Sequence, residues 1–330
     1  MNGTTTLKSL VAIAFPCLLL AGPVGAQARY PDKPVTIVVP FAAGGPSDAL
    51  ARAVAQQMTK SLGQQFIVEN VGGAGGTIGL NKVVKAAPDG YTLGFGTNGT
   101  HVANVALYKK LPYDPQKDFV PIGLIGSAPL VLLARSSLPV SNLKEFVDYV
   151  RVNRAKMSYR SAGTGSISHA GCVMLLSALK ADVIHAPYRG VGPAMNDLMG
   201  GQIDFMCDQT TTALPQIAGG KIKAVAALSA QRVPQLPGVA TAAESGYAGI
   251  DLRSWNALFV PKGTPATIVT TLQDGLANAL RNQDFATQMQ KVGVEVASGK
   301  GAAPGAVTDL ISHGIATEVP ELKTRVEYLD

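Results

Sequence analysis

The chain alternates between short β-branched runs and stretches in which apolar residues recur about every four positions. Residues 35–39 form a five-residue β-branched run, which predicts a buried strand. A helix is predicted next, beginning near Asp48 and ending at Gly63, because four apolar residues share one face: Leu50, Val54, Met58 and Leu62. The start of the chain therefore follows a strand–turn–helix plan.

The same plan continues along the rest of the sequence. Further strands are predicted at 65–69, 91–95, 130–134, 157–161, 183–185, 203–206, 222–228 and 256–260. Helices are predicted at 77–87 and 143–153, from about 166 to 180, near Pro193, and at 266–281 and 304–313. Strands that alternate with helices predict an α/β protein, with a parallel sheet covered by helices on both faces.

The first 28 residues do not fit this plan. Lys8 is their only charged residue, an apolar stretch runs over 10–21, and small residues follow. This layout is typical of a secretory signal peptide, and the apolar stretch is too short to span a bilayer. We expect residues 1–28 to be removed, with cleavage after Ala26 or Ala28, and the mature chain to be exported to the periplasm.

Composition narrows the class of protein further. Hydrophobic residues are 47 % of the 330 and charged residues only 15 %, so the chain can bury a core. The formal net charge of +6 comes from scattered lysines and arginines, and we expect no nucleic-acid partner. Beyond the predicted signal peptide two cysteines remain, Cys172 and Cys207, and both a disulfide and two buried thiols stay open.

Motifs for catalysis and for metal binding are weak. The four histidines have no metal-ligand spacing, and we expect neither a metal nor a cofactor. The spacing of Gly94, Gly96 and Gly99 fits a dinucleotide fingerprint, but these glycines do not lie in the first strand–helix unit. The sequence has no G-x-S-x-G elbow and no evident nucleophile–base pair. An enzyme is therefore not the favoured interpretation.

Two glycine-rich turns carry the most informative chemistry. Residues 41–48 and 161–169 each follow a predicted strand and open a helix. Glycine lets the backbone approach a ligand closely, and a helix N-terminus offers free N–H groups and partial positive charge. Such turns can bind anions, and two of them in different halves of the chain suggest a ligand held between two lobes.

The residues around these turns also resemble a known family. The segment Val39-Pro-Phe-Ala-Ala-Gly-Gly-Pro-Ser-Asp48 and the motifs at 72–76, 88–93, 111–115, 185–190 and 259–265 are similar to the Bug family. Its members are the periplasmic substrate-binding proteins of tripartite tricarboxylate transporters. The resemblance covers nearly the whole chain beyond the predicted signal peptide.

The resemblance implies a fold and a function. The fold would be α/β, with two doubly wound lobes joined by crossing strands, the type II periplasmic binding protein fold. Lobe I would comprise 29–126 and 254–330, and lobe II 127–253. The protein would be a monomer that captures a small carboxylate, such as a di- or tricarboxylate, an acidic amino acid or an aromatic acid. It would deliver this ligand to a two-subunit membrane permease.

Site residues follow from the matching motifs. The resemblance implies ligand contacts at twelve positions: Phe41, Ala43, Gly44, Asp48, Thr97, His101, Gly163, Ser166, His169, Tyr188, Arg189 and Asp208. Several have structural alternatives. Asp48 would instead cap its helix, His101 would lie on a helix surface, and His169 would bond its own backbone. Arg189 suits a carboxylate, since its planar fork matches two oxygens, but an exposed salt bridge is the alternative.

Two other functions remain open at this point. The same fold would serve a sensor that presents a ligand to a membrane histidine kinase. A secreted enzyme acting on organic acids is the other, and the lack of a nucleophile–base pair argues against it.

Overall fold

A computed structural model describes residues 30–324, together with Met1 and Gly3. The remainder of the predicted signal peptide and its cleavage sites lie outside the described residues. Within the described part of the chain, no helix has both the length and the apolarity needed to cross a bilayer.

Residues 30–324 contain ten strands and ten α-helices, most of which alternate. The strands are Val35–Val39 (β1), Phe66–Asn70 (β2), Thr92–Thr97 (β3), Phe119–Arg135 (β4), Ser158–Ser161 (β5), Ile184–Pro187 (β6), Phe205–Gln209 (β7), Ile222–Ala227 (β8), Arg253–Pro261 (β9) and Glu295–Val296 (β10). The helices are Pro46–Leu62 (α1), Thr77–Val84 (α2), Asn104–Leu107 (α3), Leu143–Asn153 (α4), Ile167–Ala178 (α5), Val191–Met199 (α6), Thr210–Ala218 (α7), Ala266–Leu280 (α8), Gln283–Lys291 (α9) and Pro304–Lys323 (α10).

The strands form two doubly wound lobes joined by crossing strands. Their order is β2-β1-β3-β9-β4-β7-β5-β6, and β8 and β10 also pair with β4. Strand β4 belongs to both lobes, since Phe119–Pro129 pair with β9 and Leu130–Ala134 pair with β7. The predicted parallel pairing is found for β1 with β2 and β3 and for β5 with β6 and β7, whereas β4, β8, β9 and β10 pair antiparallel. The chain crosses between the lobes along β4 and β9, and these two strands run antiparallel to the strands they pair with.

Each lobe has its own hydrophobic core. In the first lobe β1, β3 and β9 pack against α1 and α8, with Ile37, Phe95 and Leu258 at the centre. In the second lobe Phe146 and Phe205 pack edge to face, with ring centroids 5.0 Å apart. A disulfide between Cys172 on α5 and Cys207 on β7 crosses this second core, with Cα atoms 5.5 Å apart. This settles the question that the sequence left open for the two cysteines.

Every strand predicted from the sequence overlaps an observed one, but helices α3, α7 and α9 and strand β10 were not predicted, and β4 and α10 extend beyond their predicted bounds. Strand β4 is far longer than 130–134 because Pro121 lies at a register irregularity and Pro129 beside the crossing point, where a strand tolerates proline. Helix α9 was not predicted, although Phe285 and Met289 stand four apart and are buried. Helix α10 continues past residue 313 because Gly314 packs closely against Val102.

Candidate functional site

A pocket lies between the two lobes. It is located where β1, β3, β5 and β7 end, which is where α/β folds place their ligands. Its described lining residues are Phe41, Gly45, Pro46, Ser47, Thr97, Leu130, Ala162, Ser166, Ile167, Ser168, Val191, Asp208 and Gln209.

Four helices begin at this pocket. Helices α1, α5 and α7 are preceded by the pocket residues Gly45, Ser166 and Gln209, and α6 starts at Val191. The first N–H groups of a helix lack intrahelical partners and carry partial positive charge. Their convergence from both lobes creates an electrostatic environment that favours an anion.

The polar side chains of the lining are hydroxyls and one amide, apart from a single acid. Ser47, Thr97, Ser166 and Ser168 are all buried, and Gln209 adds its amide. No lysine, arginine or histidine is among the described lining residues. An anion in this pocket would therefore be held by hydroxyl groups and backbone dipoles instead of by a salt bridge.

The first glycine turn is braced by its own acid. The backbone N–H of Gly44 donates to Oδ2 of Asp48 at 3.0 Å, and Arg52 approaches Oδ1 at 2.9 Å. Burial on its own would raise the pKa of Asp48, but hydrogen bonds from Arg52, Gly44 and Asn70 and the charge of Arg52 outweigh it and lower that pKa. The carboxylate of Asp48 thus supports the loop and lies outside the pocket lining. Ala43 and Gly44 are exposed and line an adjacent groove.

The second glycine turn is braced by hydroxyls. Oγ of Ser166 donates to the carbonyl of Gly163 at 2.6 Å and accepts from the N–H of His169 at 3.3 Å, so it caps α5. Oγ of Ser168 accepts from the N–H of Ala162 at 2.8 Å. Gly163 has a φ of 120°, a backbone conformation that favours glycine. Gly163 faces an outer groove, whereas both serines line the pocket.

The two candidate histidines lie behind the pocket wall. His101 is fully buried, stacks on Phe259 with ring centroids 4.1 Å apart, and has Nδ1 3.0 Å from Oγ1 of Thr100. Burial lowers its pKa to about 3, so the ring is neutral at physiological pH. The alternative that placed His101 on a helix surface is wrong.

His169 has a similar environment. Its Nδ1 accepts from the N–H of Gly165 at 3.4 Å, and its ring centroid is 4.3 Å from that of His185. Burial, and secondarily the proximity of His185, lower the pKa of His169 to about 3. The structure thus gives His169 the local backbone bond that the sequence left as an alternative.

Tyr188 and Arg189 lie on the outer side of the interlobe contact. The hydroxyl of Tyr188 donates to Asp197, and the Arg160 guanidinium lies 6.0 Å from the centre of the Tyr188 ring. The side chain of Arg189 is exposed, whereas its carbonyl accepts from the N–H of Ala42 in the other lobe at 3.0 Å. Both residues line the outer groove that also contains Gly163.

Next to the pocket the lobes meet backbone to backbone along three glycines, Gly72, Gly190 and Gly192, which we call the glycine seam. A Cβ on Gly72 would lie 2.6 Å from the carbonyl oxygen of Arg189, and one on Gly192 would lie 2.5 Å from that of Ala43. A Cβ on Gly190 would lie 2.7 Å from the N–H nitrogen of Ala42. Real Cβ atoms do not approach so closely, so only glycine permits this contact between the lobes.

Asp208 is the only acid among the described lining residues. It is 1 % exposed, and Oδ2 accepts a hydrogen bond from the hydroxyl of Thr212. Its other oxygen, Oδ1, is buried without a hydrogen-bond partner. Burial raises the pKa of Asp208 to about 7, against the weaker lowering effects of the Thr212 hydroxyl and of the nearby backbone N–H of Gln209.

The structure therefore sorts the twelve predicted residues into three groups. The first group lines the pocket: Phe41, Thr97, Ser166 and Asp208. The second lies outside the lining, in the adjoining grooves for Ala43, Gly44, Gly163, Tyr188 and Arg189 and on helix α1 for Asp48. The third, behind the pocket wall, is His101 and His169. Sequence reasoning missed Ser47, Ser168 and Gln209. Their signal was a polar residue at or next to a helix start after a strand, the same signal that identified Ser166.

Two α/β lobes, crossing strands and an interlobe pocket that favours anions define a solute-binding protein. A family model described as the tripartite tricarboxylate transporter family receptor matches residues 50–305, and the chain belongs to this family. The resemblance to the Bug family seen in the sequence is thereby confirmed.

Individual relatives agree with this assignment. A UPF0065 protein from the TAR-I ttuE-ttuC' intergenic region of Agrobacterium vitis is 40 % identical over 297 residues, 90 % of this chain and 86 % of the relative. The periplasmic binding protein BugD is 42 % identical, with a TM-score of 0.88 over 91 % of this chain and all of BugD. MatC from Rhodopseudomonas palustris, solved with bound malate, is 41 % identical, with a TM-score of 0.86 over 90 % of this chain and all of MatC.

Proposed function

We propose that this protein captures a small carboxylate in the interlobe pocket and delivers it to the two-subunit permease of a tripartite tricarboxylate transporter. The observation that carries the proposal is the pocket lining: four helix N-termini and four buried hydroxyls, with no basic side chain among the described lining residues. Oriented N–H groups at helix starts, positioned by turns that the hydroxyls brace, hold a carboxylate strongly once closure has removed water.

Membership of a receptor family supports a binding role over an enzymatic one. The malate bound by MatC, a relative of 41 % identity over the whole of that chain, supports a small dicarboxylate as the ligand class. Di- and tricarboxylates, acidic amino acids and aromatic acids are the candidates to screen. We further propose that the protein acts as a monomer in the periplasm after removal of residues 1–28.

We place lobe I at 29–126 and 254–330 and lobe II at 127–253. Strand pairing supports these boundaries, because β4 changes partner from β9 to β7 between Pro129 and Leu130. The return crossing is supported by β9, which begins at Arg253 opposite Pro129. The two junctions would then act as the hinge for closure on the ligand.

A thermal-shift screen of the mature chain tests the proposal. A carboxylate at 100 times its dissociation constant should stabilise the protein by about 2.7 kcal/mol and raise its melting temperature by a few degrees. Ser166→Ala should abolish the shift, whereas Ser136→Ala, at an exposed position outside the pocket, should leave it intact.

The sample should be screened before and after unfolding and refolding, which removes any copurified ligand. A shift that appears only after refolding still supports the proposal. If the refolded protein keeps its fold and no carboxylate shifts its melting temperature, the proposed function is wrong.

A further inference from the structure

Asp208 is an acid in a pocket whose other polar groups favour an anion. The lining offers hydroxyls and helix N-termini, which favour an anion, yet a carboxyl group lies among them. Oδ2 is satisfied by Thr212, whereas Oδ1 is buried without a partner. A buried polar atom without a hydrogen bond costs free energy, so such an atom in a binding pocket indicates a partner that the bound ligand supplies.

Two ionised carboxylates side by side in this pocket would repel each other strongly. Like charges that share a buried site force one of the groups to take up a proton. A cation that could offset the repulsion is lacking among the described lining residues. The ligand carboxylate and Asp208 therefore need either a shared proton or a donor group placed between them.

The surrounding charges do not change this conclusion. On α1, Asp48 is engaged by Arg52 and Gly44. Behind the wall, His101 on the turn after β3 and His169 on α5 are neutral at physiological pH, because burial lowers the pKa of each to about 3. Arg160 on β5 lies near the Tyr188 ring, and Arg189 lines the outer groove.

We propose that Asp208 binds the ligand as a carboxylic acid, with its Oδ1–H donating a hydrogen bond to a ligand carboxylate oxygen. The inference rests on the proposed function, since it requires a carboxylate in the pocket. One proton passes from the solvent to Asp208 for each ligand bound by protein in which this residue was ionised. The pair then shares the charge of one carboxylate, and the pocket needs no cation.

Proton uptake gives binding a defined pH dependence. Burial already raises the pKa of Asp208 to about 7 in the free protein, and a neighbouring ligand carboxylate raises it further. The dissociation constant should therefore be flat below about pH 7 and should rise up to tenfold per pH unit above it. Between pH 6 and pH 9 we expect affinity to fall by about 50- to 100-fold.

Isothermal titration calorimetry in pairs of buffers with different ionisation enthalpies measures this uptake directly. The first probe is L-malate, followed by the best carboxylate from the thermal-shift screen. For the wild type at pH 8 we expect close to one proton taken up per ligand. Asp208→Asn keeps a donor at this position but cannot take up a proton, so its affinity should be the same at pH 6 and at pH 9. This variant should show neither proton uptake nor the loss of affinity at pH 9.

The matched control is Glu318→Gln. Glu318 on α10 is another carboxyl whose pKa burial raises, but it lies outside the pocket, beside Asn98. This variant should keep the proton uptake of the wild type. Uptake that disappears in Glu318→Gln and persists in Asp208→Asn would overturn the proposal.

The outcomes separate this inference from the proposed function. One outcome would overturn the inference alone: the wild type binds without proton uptake at pH 8, and Asp208→Asn binds more weakly at every pH. This result would show that Asp208 accepts a hydrogen bond from a ligand hydroxyl or ammonium group. A refolded wild type that binds no carboxylate would overturn both. If Asp208→Asn does not fold, the buffer-pair experiment on the wild type decides.

Discussion

The two glycine-rich turns occupy corresponding positions in the two lobes, but different forces hold them. In the first turn the charged carboxylate of Asp48 accepts the N–H of Gly44 and pairs with Arg52. The second turn relies on the neutral hydroxyls of Ser166 and Ser168. The helix that follows the second turn, α5, is also tied covalently to β7 through Cys172 and Cys207.

The difference shows how a pocket can favour anions without a basic residue. In the first lobe the acid supports the turn from outside the lining, so the helix N-terminus remains free to face the pocket. In the second lobe the buried hydroxyls both brace the turn and line the pocket. The disulfide fixes the distance between α5 and the strand that carries Asp208. The first turn is thus braced by polar contacts alone, whereas the helix that follows the second turn also has a covalent link to β7.

Removing the disulfide should have the largest effect. A cross-link over a sequence separation of 35 residues stabilises a protein by roughly 4 kcal/mol through the entropy of the unfolded chain. Cys172→Ala/Cys207→Ala should lower the urea midpoint accordingly. With dithiothreitol present, the urea midpoint of the wild type should equal that of the double variant. The midpoint of the double variant should not change when the reductant is added. Equal midpoints for wild type and variant without reductant would contradict the covalent role.

Blocking the glycine seam should weaken binding without weakening the fold. In Gly192→Ala the new Cβ would collide with the carbonyl of Ala43 across the interface, while alanine suits helix α6. Overpacking of this kind costs about 1–3 kcal/mol, so we expect ligand affinity to fall about tenfold or more, with an unchanged melting temperature of the free protein.

Gly305→Ala is the control for this variant. Gly305 is also near the start of a helix, α10, and an added Cβ there meets no atom within 4 Å. Its affinity, measured by calorimetry, should equal that of the wild type. Equal affinities for Gly192→Ala and wild type would show that closure does not depend on the seam.

Neutralising Asp48 tests the polar brace of the first turn. Asp48→Asn should lose about 1 kcal/mol of stability at pH 7, the usual net scale of one hydrogen bond, because Asp48 accepts from Gly44 while Gly45 is the N-cap of α1. The folded-state pKa of Asp48 is lowered, so its contribution is present above the unfolded value of about 3.9 and is lost as pH falls through the folded value. Chemical denaturation should show that the difference in free energy of unfolding between variant and wild type is smaller at pH 3 than at pH 7.

Asp274→Asn, at an exposed position on α8, serves as the comparison for Asp48→Asn and should leave stability unchanged at both pH values. If the difference in free energy of unfolding between Asp48→Asn and wild type grew on acidification, the folded-state pKa of Asp48 could not be lowered.

Arg189 should give the smallest effect. Its exposed side chain lines the outer groove, so its charge should act on the encounter with an anion more than on the bound state. For Arg189→Gln, stopped-flow binding at low salt should show an association rate about twofold lower and a dissociation rate close to that of the wild type. A tenfold faster dissociation would instead identify Arg189 as a direct carboxylate clamp.

Local sequence patterns predicted the strands and the starts of the main helices, because these depend on spacing and on caps such as Asn142 and Ser166. They also identified both glycine turns. They could not separate pocket residues from rim residues, since this depends on how the lobes meet. Tyr188 and Arg189 come directly after β6, much as Thr97 and Asp208 stand at the ends of β3 and β7. The glycine seam, however, brings the loop of Tyr188 and Arg189 against Ala42 and leaves both residues outside the pocket.

Burial was the other property beyond the reach of the sequence. Nothing in the residues around His101 indicates that Phe259, far along the chain, stacks on its ring. In the same way, the unpaired oxygen of Asp208 becomes visible only when α7 and β7 are placed against the pocket.

The most direct test of a pocket that binds anions through neutral donors is a calorimetric comparison of two matched ligands. The refolded mature protein would be titrated with L-malate, or the best carboxylate from the screen, and with the corresponding uncharged amide. The account predicts that the carboxylate binds and that the amide binds at least 100-fold more weakly. Equal affinities for the two, or no binding of any carboxylate, would contradict it.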